Sequence, residues 1–244
     1  MRKLAWLIAT CGLVLTGPAL AGPPYLTDDP QPTPYKHYEI YTLNQGTNAV
    51  DGTTGSAGFD FNYGAAPDLQ LTASLAAGFT APSFGASRVG LANPQLAAKY
   101  RILHAETFGW DVAVFPRVFL PSSSKAVGST NPSVLIPIWV QRDLGSGLTV
   151  FGGGGCQFFA GDAAQNFCET GWVTTYEVTK GLTLGGEVFH QTASSAAPAQ
   201  TSLGVGLTYD INGTYHLLGY ANRGIENADA TNRVSWYSAL LVTF

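Results

Sequence analysis

Stretches of about nine to twelve residues with alternating or β-rich character recur along most of this chain, and the joining segments alternate in length. Short joints such as Lys180-Gly181 and Asp210 to Gly213 take turns with long ones such as Pro121 to Pro132 and Thr192 to Gln200. Short turns at one end and long loops at the other are typical of bacterial outer-membrane barrels, with the short turns periplasmic. The pattern predicts an all-β fold, a transmembrane antiparallel barrel of about twelve strands.

Most of the predicted strands have at least the length that a tilted strand needs to cross hydrocarbon, about 9 to 11 residues. The count is open within about ten to fourteen strands, because single strands are weak signals. The predicted strands are Tyr35 to Leu43, Ala57 to Tyr63, Leu69 to Phe79, Gln95 to Leu103, Gly109 to Leu120, Ser133 to Arg142, Leu148 to Phe159, Cys168 to Thr179, Leu182 to Gln191, Thr201 to Tyr209, Thr214 to Asn222 and Asn232 to Phe244.

The last strand ends the chain on an aromatic residue. Trp236, Leu240, Val242 and Phe244 share one face, interrupted by Ser238. Aromatic residues near both ends of a mostly apolar stripe fit a bilayer with aromatic girdles. We expect this face to contact outer-membrane lipid, and we expect Phe244 to be recognised by the barrel-assembly machinery.

The N-terminus has the pattern of a secretion signal. Arg2 and Lys3 precede an apolar stretch from Leu4 to Leu15, and Ala19-Leu20-Ala21 is a small-x-small cleavage site. We therefore predict residues 1–21 to be a signal peptide cleaved before Gly22, with the mature chain located in the bacterial outer membrane. A permanent N-terminal anchor is the weaker alternative, since the apolar stretch is too short to span a bilayer.

Charge is scarce in this sequence. Charged residues make up 11% of the chain, against roughly 25% in an average soluble domain. Removing residues 1–21 leaves ten basic against sixteen acidic residues, a formal net charge of −6, and no Lys/Arg run. Nucleic acid is therefore not an expected partner. The 29 glycines and 12% aromatic residues fit a lipid-facing barrel, with a secreted or periplasmic all-β domain as the alternative.

Two cysteines remain once Cys11 leaves with the signal. Lipidation of Cys11 is the weaker alternative because Thr10 before it is a poor match. Cys156 and Cys168 flank a short polar segment, residues 161–166, at nearly equal distances. A hairpin there would bring them opposite each other, so we predict a disulfide in an oxidising compartment. The redox or metal alternative lacks a C-x-x-C spacing.

Residues 22–34 contain five prolines and the acidic pair Asp28-Asp29. Proline has no N–H to donate, so this segment cannot form a continuous ladder of hydrogen bonds. We predict a periplasmic tail or plug that reaches into the mouth of the barrel, with residues 35–244 forming the barrel itself.

Charged side chains within the strands must face the lumen, because a Lys or Arg facing lipid at mid-depth costs roughly 2 to 4 kcal/mol. They form either a polar lining for a solute or internal ion pairs that stiffen the barrel. A barrel of about eight strands is filled by its own side chains, whereas a barrel of 16 to 18 strands leaves an aqueous channel. A passage through a barrel of about twelve strands should therefore be narrow or gated. The predicted lumen-lining residues are Glu39, Asp60, Lys99, Arg101, Asp111, Arg117, Glu177 and Glu187.

Enzymatic chemistry has little support in the sequence. Gly152 to Gly155 lacks the helix, Lys and Ser/Thr of a phosphate-binding loop. His190 with Ser194 or Ser195 is the best nucleophile and base pair present, but it has no visible third partner. We predict no catalytic residue, no metal site and no cofactor.

Four segments together resemble one known family: Asn93 to Arg101, Phe115 to Pro121, Val150 to Gly155 and Leu184 to Gln191. The chain is similar along nearly its whole mature length to the outer-membrane proteins described as putative MetA-pathway of phenol degradation, also called transporter-like. The resemblance implies an outer-membrane barrel associated with uptake of aromatic or other hydrophobic compounds. It adds no catalytic or binding residues.

These observations favour an outer-membrane channel or transporter for passive passage of small molecules, including aromatic or hydrophobic ones. A structural or interaction barrel with a plugged lumen is the second hypothesis. An outer-membrane hydrolase centred on His190 is the third.

Overall fold

A computed structural model describes residues 24–122, 124 and 127–244. The predicted signal peptide and its cleavage site lie outside the described residues. No helix among the described residues is long and apolar enough to span a bilayer. The strands are β1 (Tyr38–Ala49), β2 (Gly52–Ala66), β3 (Leu69–Pro82), β4 (Arg88–Leu91), β5 (Gln95–Leu103), β6 (Asp111–Val114), β7 (Arg117–Phe119), β8 (Ser133–Gly145), β9 (Leu148–Phe159), β10 (Phe167–Thr179), β11 (Leu182–Gln191), β12 (Gln200–Asp210), β13 (Tyr215–Glu226) and β14 (Val234–Thr243), with short helices α1 (Ala105–Phe108) and α2 (Ala228–Thr231) and a 3-10 turn (Ala163–Gln165).

The strands form one closed antiparallel barrel. Each pairs with its neighbours, and β1 pairs with β14 to close the sheet. β4 and β5 both pair with β3 and form one barrel strand interrupted at residues 92–94. β6 and β7 likewise form one strand, interrupted where Pro116 has no N–H to donate. The barrel therefore has twelve strands, and the predicted architecture is confirmed.

The first two strands run past their predicted ends. Where we expected a long loop from Asn44 to Ser56, β1 and β2 continue in unbroken register as far as the pair Ala49 and Gly52. This stretch is rich in Thr, Gly and Asn, which suits a wall that has water on both sides. The strands are longer than a bilayer crossing requires, so the barrel wall continues beyond the hydrocarbon at the long-loop end.

Side chains alternate between the interior and the exterior along every strand. In β14, Leu241 is fully buried inside the barrel, whereas the adjacent Leu240 is 38% exposed on the outside. At the short-turn end the ring of Tyr38 stacks on Tyr63 and on Phe244, with centroids 4.6 and 5.5 Å apart. The predicted lipid face of the last strand is therefore the outer face, and its end joins an aromatic rim.

An apolar core fills part of the barrel interior near the short-turn end. Tyr41, Leu218, Ala239 and Leu241 form one buried cluster, and Trp139 is completely buried on β8. Side chains from the wall thus close part of the cross-section by themselves. The space that they leave is described below.

We expect Leu241→Ala to lower the free energy of unfolding by about 2 to 5 kcal/mol, because the truncation leaves a cavity in a closed interior. Leu240→Ala is the matched control, since lipid can occupy the space left on the outer face. Urea titration of the protein folded in lipid vesicles, followed by tryptophan fluorescence, measures both variants. Equal losses for the two neighbours would contradict the assignment of inner and outer faces.

Candidate functional site

The described part of the Pro-rich segment lies inside the barrel. We call residues 24–34 the plug. Tyr25 lies deep in the lumen, where its ring packs 5.5 Å from the ring of Tyr220 and 5.9 Å from that of Phe151. From there the chain runs to the short-turn rim, where Tyr35 bridges to Gly64 of β2. The segment therefore occupies the lumen more deeply than the mouth that the sequence suggested.

Ion pairs fix the middle of the plug to the wall. Lys99 on β5 lies 2.9 Å from Asp28 and 3.4 Å from Asp29, and its side chain is 4% exposed. Arg117 on β7 donates to the other oxygen of Asp28 at 2.6 Å. The ring of Phe115 lies beneath both cations, 4.9 Å from Lys99 Nζ and 4.3 Å from the Arg117 guanidinium carbon. The acidic pair of the plug thus neutralises two wall cations in a low-dielectric site.

The two plug carboxyls differ in their electrostatic environment. For Asp28, burial favours the neutral form, but the charges of Lys99 and Arg117 outweigh it and hold the pKa of this carboxyl below its usual value. For Asp29, burial dominates over Lys99 and raises the pKa to about 6. Asp28 is therefore the firmly ionised partner in this cluster.

A second set of contacts holds the plug near the rim. Arg101 donates to Asp68 at 2.7 and 2.9 Å and to Gln31 of the plug at 2.6 Å. Asp111 accepts from Gln31 at 3.0 Å and lies 3.7 Å from Arg101. Two residues after Gln31, Thr33 donates its backbone N–H and its hydroxyl to Gln70 of β3 at 2.8 and 3.1 Å. This end of the plug is therefore bonded to neighbouring strands on one side of the barrel.

Glu187 of β11 anchors the inner end of the plug from the opposite side. Its carboxylate accepts from the backbone N–H of Thr27 at 2.7 Å, and the hydroxyl of Tyr220 donates to the same carboxylate. Glu187 is 4% exposed. A buried carboxylate that accepts backbone donors in this way holds a segment without any wall cation.

Wall glycines make room for the plug. A Cβ at Gly206 would lie 2.6 Å from the Tyr25 ring, and a Cβ at Gly185 or Gly171 would collide with the hydroxyl of Tyr25 or of Thr27. All three glycines face inward on β10, β11 and β12. Their lack of a side chain creates the groove into which the plug fits.

Beyond the plug the lumen widens into a cavity of about 800 Å³, which we call the vestibule. It opens toward the long-loop end, and Pro24, Tyr25 and Leu26 of the plug form its floor. A smaller cavity of about 130 Å³ lies between the plug and the wall, lined among others by Asp28, Lys99 and Arg117. Tyr25 and Leu26 of the plug border both cavities.

The predicted lumen residues divide into those that meet the plug and those that do not. Lys99, Arg101, Asp111, Arg117 and Glu187 contact the plug directly.

The other three differ in position. Glu39 is buried inside, accepts from the Tyr41 hydroxyl at 3.4 Å and also meets the side chain of Thr33 of the plug. Asp60 accepts from Ser74 at 2.5 Å beside the vestibule floor. Glu177 is exposed at the short-turn end of β10, next to Gly147, and takes no part in this cluster.

Cys156 and Cys168 are direct partners in the register of β9 and β10, and their sulfur atoms lie 1.92 Å apart. Their strands pair on both sides of this position, so the two side chains meet on the outer face. The predicted pairing is thus geometrically available.

His190 does not meet the serines proposed for a hydrolase. Its Nδ1 lies 2.9 Å from the hydroxyl of Thr201, which itself donates to Glu226 at 2.5 Å. Ser195 instead donates its backbone N–H to Ala164. Because the threonine hydroxyl already donates to a carboxylate, this cluster is a hydrogen-bonded strand edge without an activated nucleophile.

Sequence reasoning missed the partners that the plug uses. Asp28 and Asp29 were noted for composition alone, and Tyr220 and Gln70 were not singled out. One signal was available: three cations on neighbouring strands face the interior, while an acidic pair stands in a segment already expected to enter the barrel.

Comparison with known proteins identifies the family. Residues 40–235 match the profile of the family described as putative MetA-pathway of phenol degradation. This chain belongs to that family. The resemblance inferred from the sequence is therefore confirmed. No curated protein matches the chain.

Solved structures share the fold. The COG4313 outer membrane channel from Pseudomonas putida F1 superposes with a TM-score of 0.64 at 14% identity, covering 88% of this chain and 99% of that one. The KdgM porin gives 0.60 at 12% identity over 84% and 99%, and the NanC porin gives 0.59 at 9% over 85% and 98%. The family member described here is an outer-membrane β-barrel.

We expect Gly206→Ala to loosen the plug, because the new methyl group overlaps the Tyr25 ring and overpacking costs about 1 to 3 kcal/mol. Hydrogen exchange measured by mass spectrometry should show faster exchange of the Thr27 amide. Gly186→Ala is the control, since the nearest heavy atom to its Cβ lies 3.8 Å away. In a Tyr25→Ala background the Gly206→Ala effect should disappear; an undiminished effect there would contradict the proposed contact.

Proposed function

We propose that this protein is an outer-membrane channel through which small molecules pass passively, and that the plug is its gate. The observation that carries the proposal is a vestibule of about 800 Å³ that ends on a segment held by ion pairs and hydrogen bonds rather than by strand pairing. By the rule that short turns face the periplasm, the vestibule faces the outside of the cell and the plug closes the periplasmic half.

The channel interpretation is supported by the solved structures that share the fold, which are an outer membrane channel and porins. A barrel of this kind moves solute down its gradient and needs no catalytic residue. The family description names phenol degradation, and the vestibule floor carries tyrosine rings. Aromatic or other hydrophobic compounds are therefore included in the solute class that we propose.

The plug can act as a gate because its attachment is electrostatic and local. Lys99 and Arg117 lose their carboxylate partner if Asp28 moves away. Removing one partner of a buried ion pair costs roughly 3 to 5 kcal/mol, which favours the closed state. Since about 1.4 kcal/mol is a tenfold change in an equilibrium, a solute that competes for these contacts can shift the gate appreciably.

The plug also favours a second candidate, a structural barrel that passes nothing. Wall side chains and the plug together fill the short-turn half, with Trp139, Leu241 and Pro30 fully buried. The long-loop face would then serve contacts with partners or membrane stability. The two candidates differ in whether the plug ever leaves.

The test is the double variant Asp28→Asn, Asp29→Asn in planar lipid bilayers. It preserves side-chain shape but leaves Lys99 and Arg117 unpaired, so by the estimate of roughly 3 kcal/mol the ratio of open to closed states should rise about 100-fold. Asp229→Asn is the control, because Asp229 pairs with Arg233 on the exposed surface and does not touch the plug. Single-channel recording measures open probability.

An ion conductance that is negligible in the wild type and in the double variant would reject the channel in favour of the structural barrel. A double variant that opens no more often than Asp229→Asn would keep the channel but reject the gate.

Three finer features belong to the same proposal. We propose cleavage before Gly22, a Cys156–Cys168 disulfide supported by their register, and recognition of Phe244 by the barrel-assembly machinery. The intact mass of the unreduced mature protein checks the first two. A chain that begins elsewhere, or that carries two free thiols, would contradict them. Normal assembly in cells after deletion of Phe244 would contradict the third.

A further inference from the structure

A ring of amide side chains surrounds the vestibule above its floor. We call it the glutamine belt. Its members come from five different strands and all line the same cavity of about 800 Å³. They are Gln45 of β1, Gln95 of β5, Gln157 of β9, Gln191 of β11 and Gln200 of β12.

Neutral neighbours hold the belt in place. Gln45 donates to Ser56 at 3.3 Å, and Gln157 donates to Ser133 at 2.8 Å. Gln200 donates to Gln191 at 3.3 Å. A primary amide has two N–H donors and an acceptor oxygen with two lone pairs. Gln95 donates to Ser74 at 3.4 Å. These contacts use four of the ten N–H donors of the belt, so among the described residues more than half of its donors have no protein partner and are available to a solute.

Charge is sparse around the vestibule, and Glu169 lies at the level of the belt, opposite Gln191 in the register of β10 and β11. Among the described lining residues the charged side chains are Asp60, Arg117 and Glu169. Arg117 is the one cation of this set, and it is already engaged with Asp28 of the plug. Asp60 accepts from Ser74, and Glu169 adds a second negative charge. An anion that enters would give up water without gaining an available cation, at a cost of several kcal/mol if fully desolvated.

We propose that the vestibule is a binding site for neutral solutes that carry several hydrogen-bonding groups, such as uncharged sugars or polyhydroxylated rings, and that it discriminates against the corresponding acids. The belt supplies both donors and acceptors, while the half-buried ring of Tyr25 at the inner end offers an apolar surface to a ring. This inference adds a solute class to the channel function proposed above. Passage of these solutes rests on that function, whereas their binding in the vestibule does not.

The test compares two sugars that differ in charge, D-galactose and D-galacturonate. Galacturonate is the informative acid because the KdgM porin, which shares the fold, was solved in complex with disordered oligogalacturonate. Saturation-transfer-difference NMR on the detergent-solubilised wild-type protein measures binding of each sugar. We expect galactose to bind about tenfold more tightly than galacturonate, a difference of about 1.4 kcal/mol.

A charge variant makes the inference sharper. Gln157→Lys with Gln200→Lys places two free cations in the belt and should reverse the preference toward galacturonate. Ala163→Lys with Ala164→Lys is the matched control, because both alanines are exposed residues of the 3-10 turn between β9 and β10. It adds positive charge outside the vestibule and should leave the preference for galactose unchanged.

Galacturonate binding as tight as galactose in the wild type, or no binding of either sugar, would overturn the inference. A preference that the belt variant and the double alanine-to-lysine control change equally would also overturn it, since the effect would then come from overall charge. If the protein conducts but binds neither sugar, the channel function is retained and the binding site is rejected. If the protein binds the sugars with the expected charge preference but never conducts, the binding site is retained and the channel function is rejected.

Discussion

Closure of the sheet by the pairing of β1 with β14 is the constraint on which the rest of this structure depends. In hydrocarbon an unpaired N–H or C=O costs several kcal/mol, so a spanning sheet must have no edge. Ten residue pairs, from Glu39 with Thr243 to Asn48 with Val234, close this one. Closure also divides every strand into a lipid face and a lumen face, which places each charge and each large side chain.

The width of a twelve-stranded barrel explains why the interior needs more than wall side chains. The apolar cluster around Leu241 and the indole of Trp139 fill part of the section, and the remaining space is taken by the plug. Inward glycines at 171, 185 and 206 create the groove, and Lys99 with Arg117 provide the charges that Asp28 neutralises. Wall and plug are therefore complementary in both shape and charge.

The lumen then falls into two chemically different zones. Near the plug the side chains are charged and paired, so this zone can respond to whatever competes for those pairs. Above the plug, the side chains of the glutamine belt are uncharged and make few hydrogen bonds to protein. A solute can therefore bind there without breaking a salt bridge. In the gated passive channel that we propose, a solute first meets neutral hydrogen-bonding groups and then the ion pairs that hold the plug.

Local sequence pattern determined the number and order of the strands, the lipid face of β14 and the inward direction of Lys99, Arg117 and Glu187, because alternation with period two and the absence of charge facing lipid are local rules. It could not predict that β1 and β2 would continue to residues 49 and 52, since a polar wall in water carries no hydrophobic signal. Nor could it pair Asp28 with Lys99, 71 residues away, or explain why positions 185 and 206 are glycine. Those contacts exist only once the barrel is closed and the plug lies inside it, because barrel curvature and the path of the plug decide which distant side chains meet.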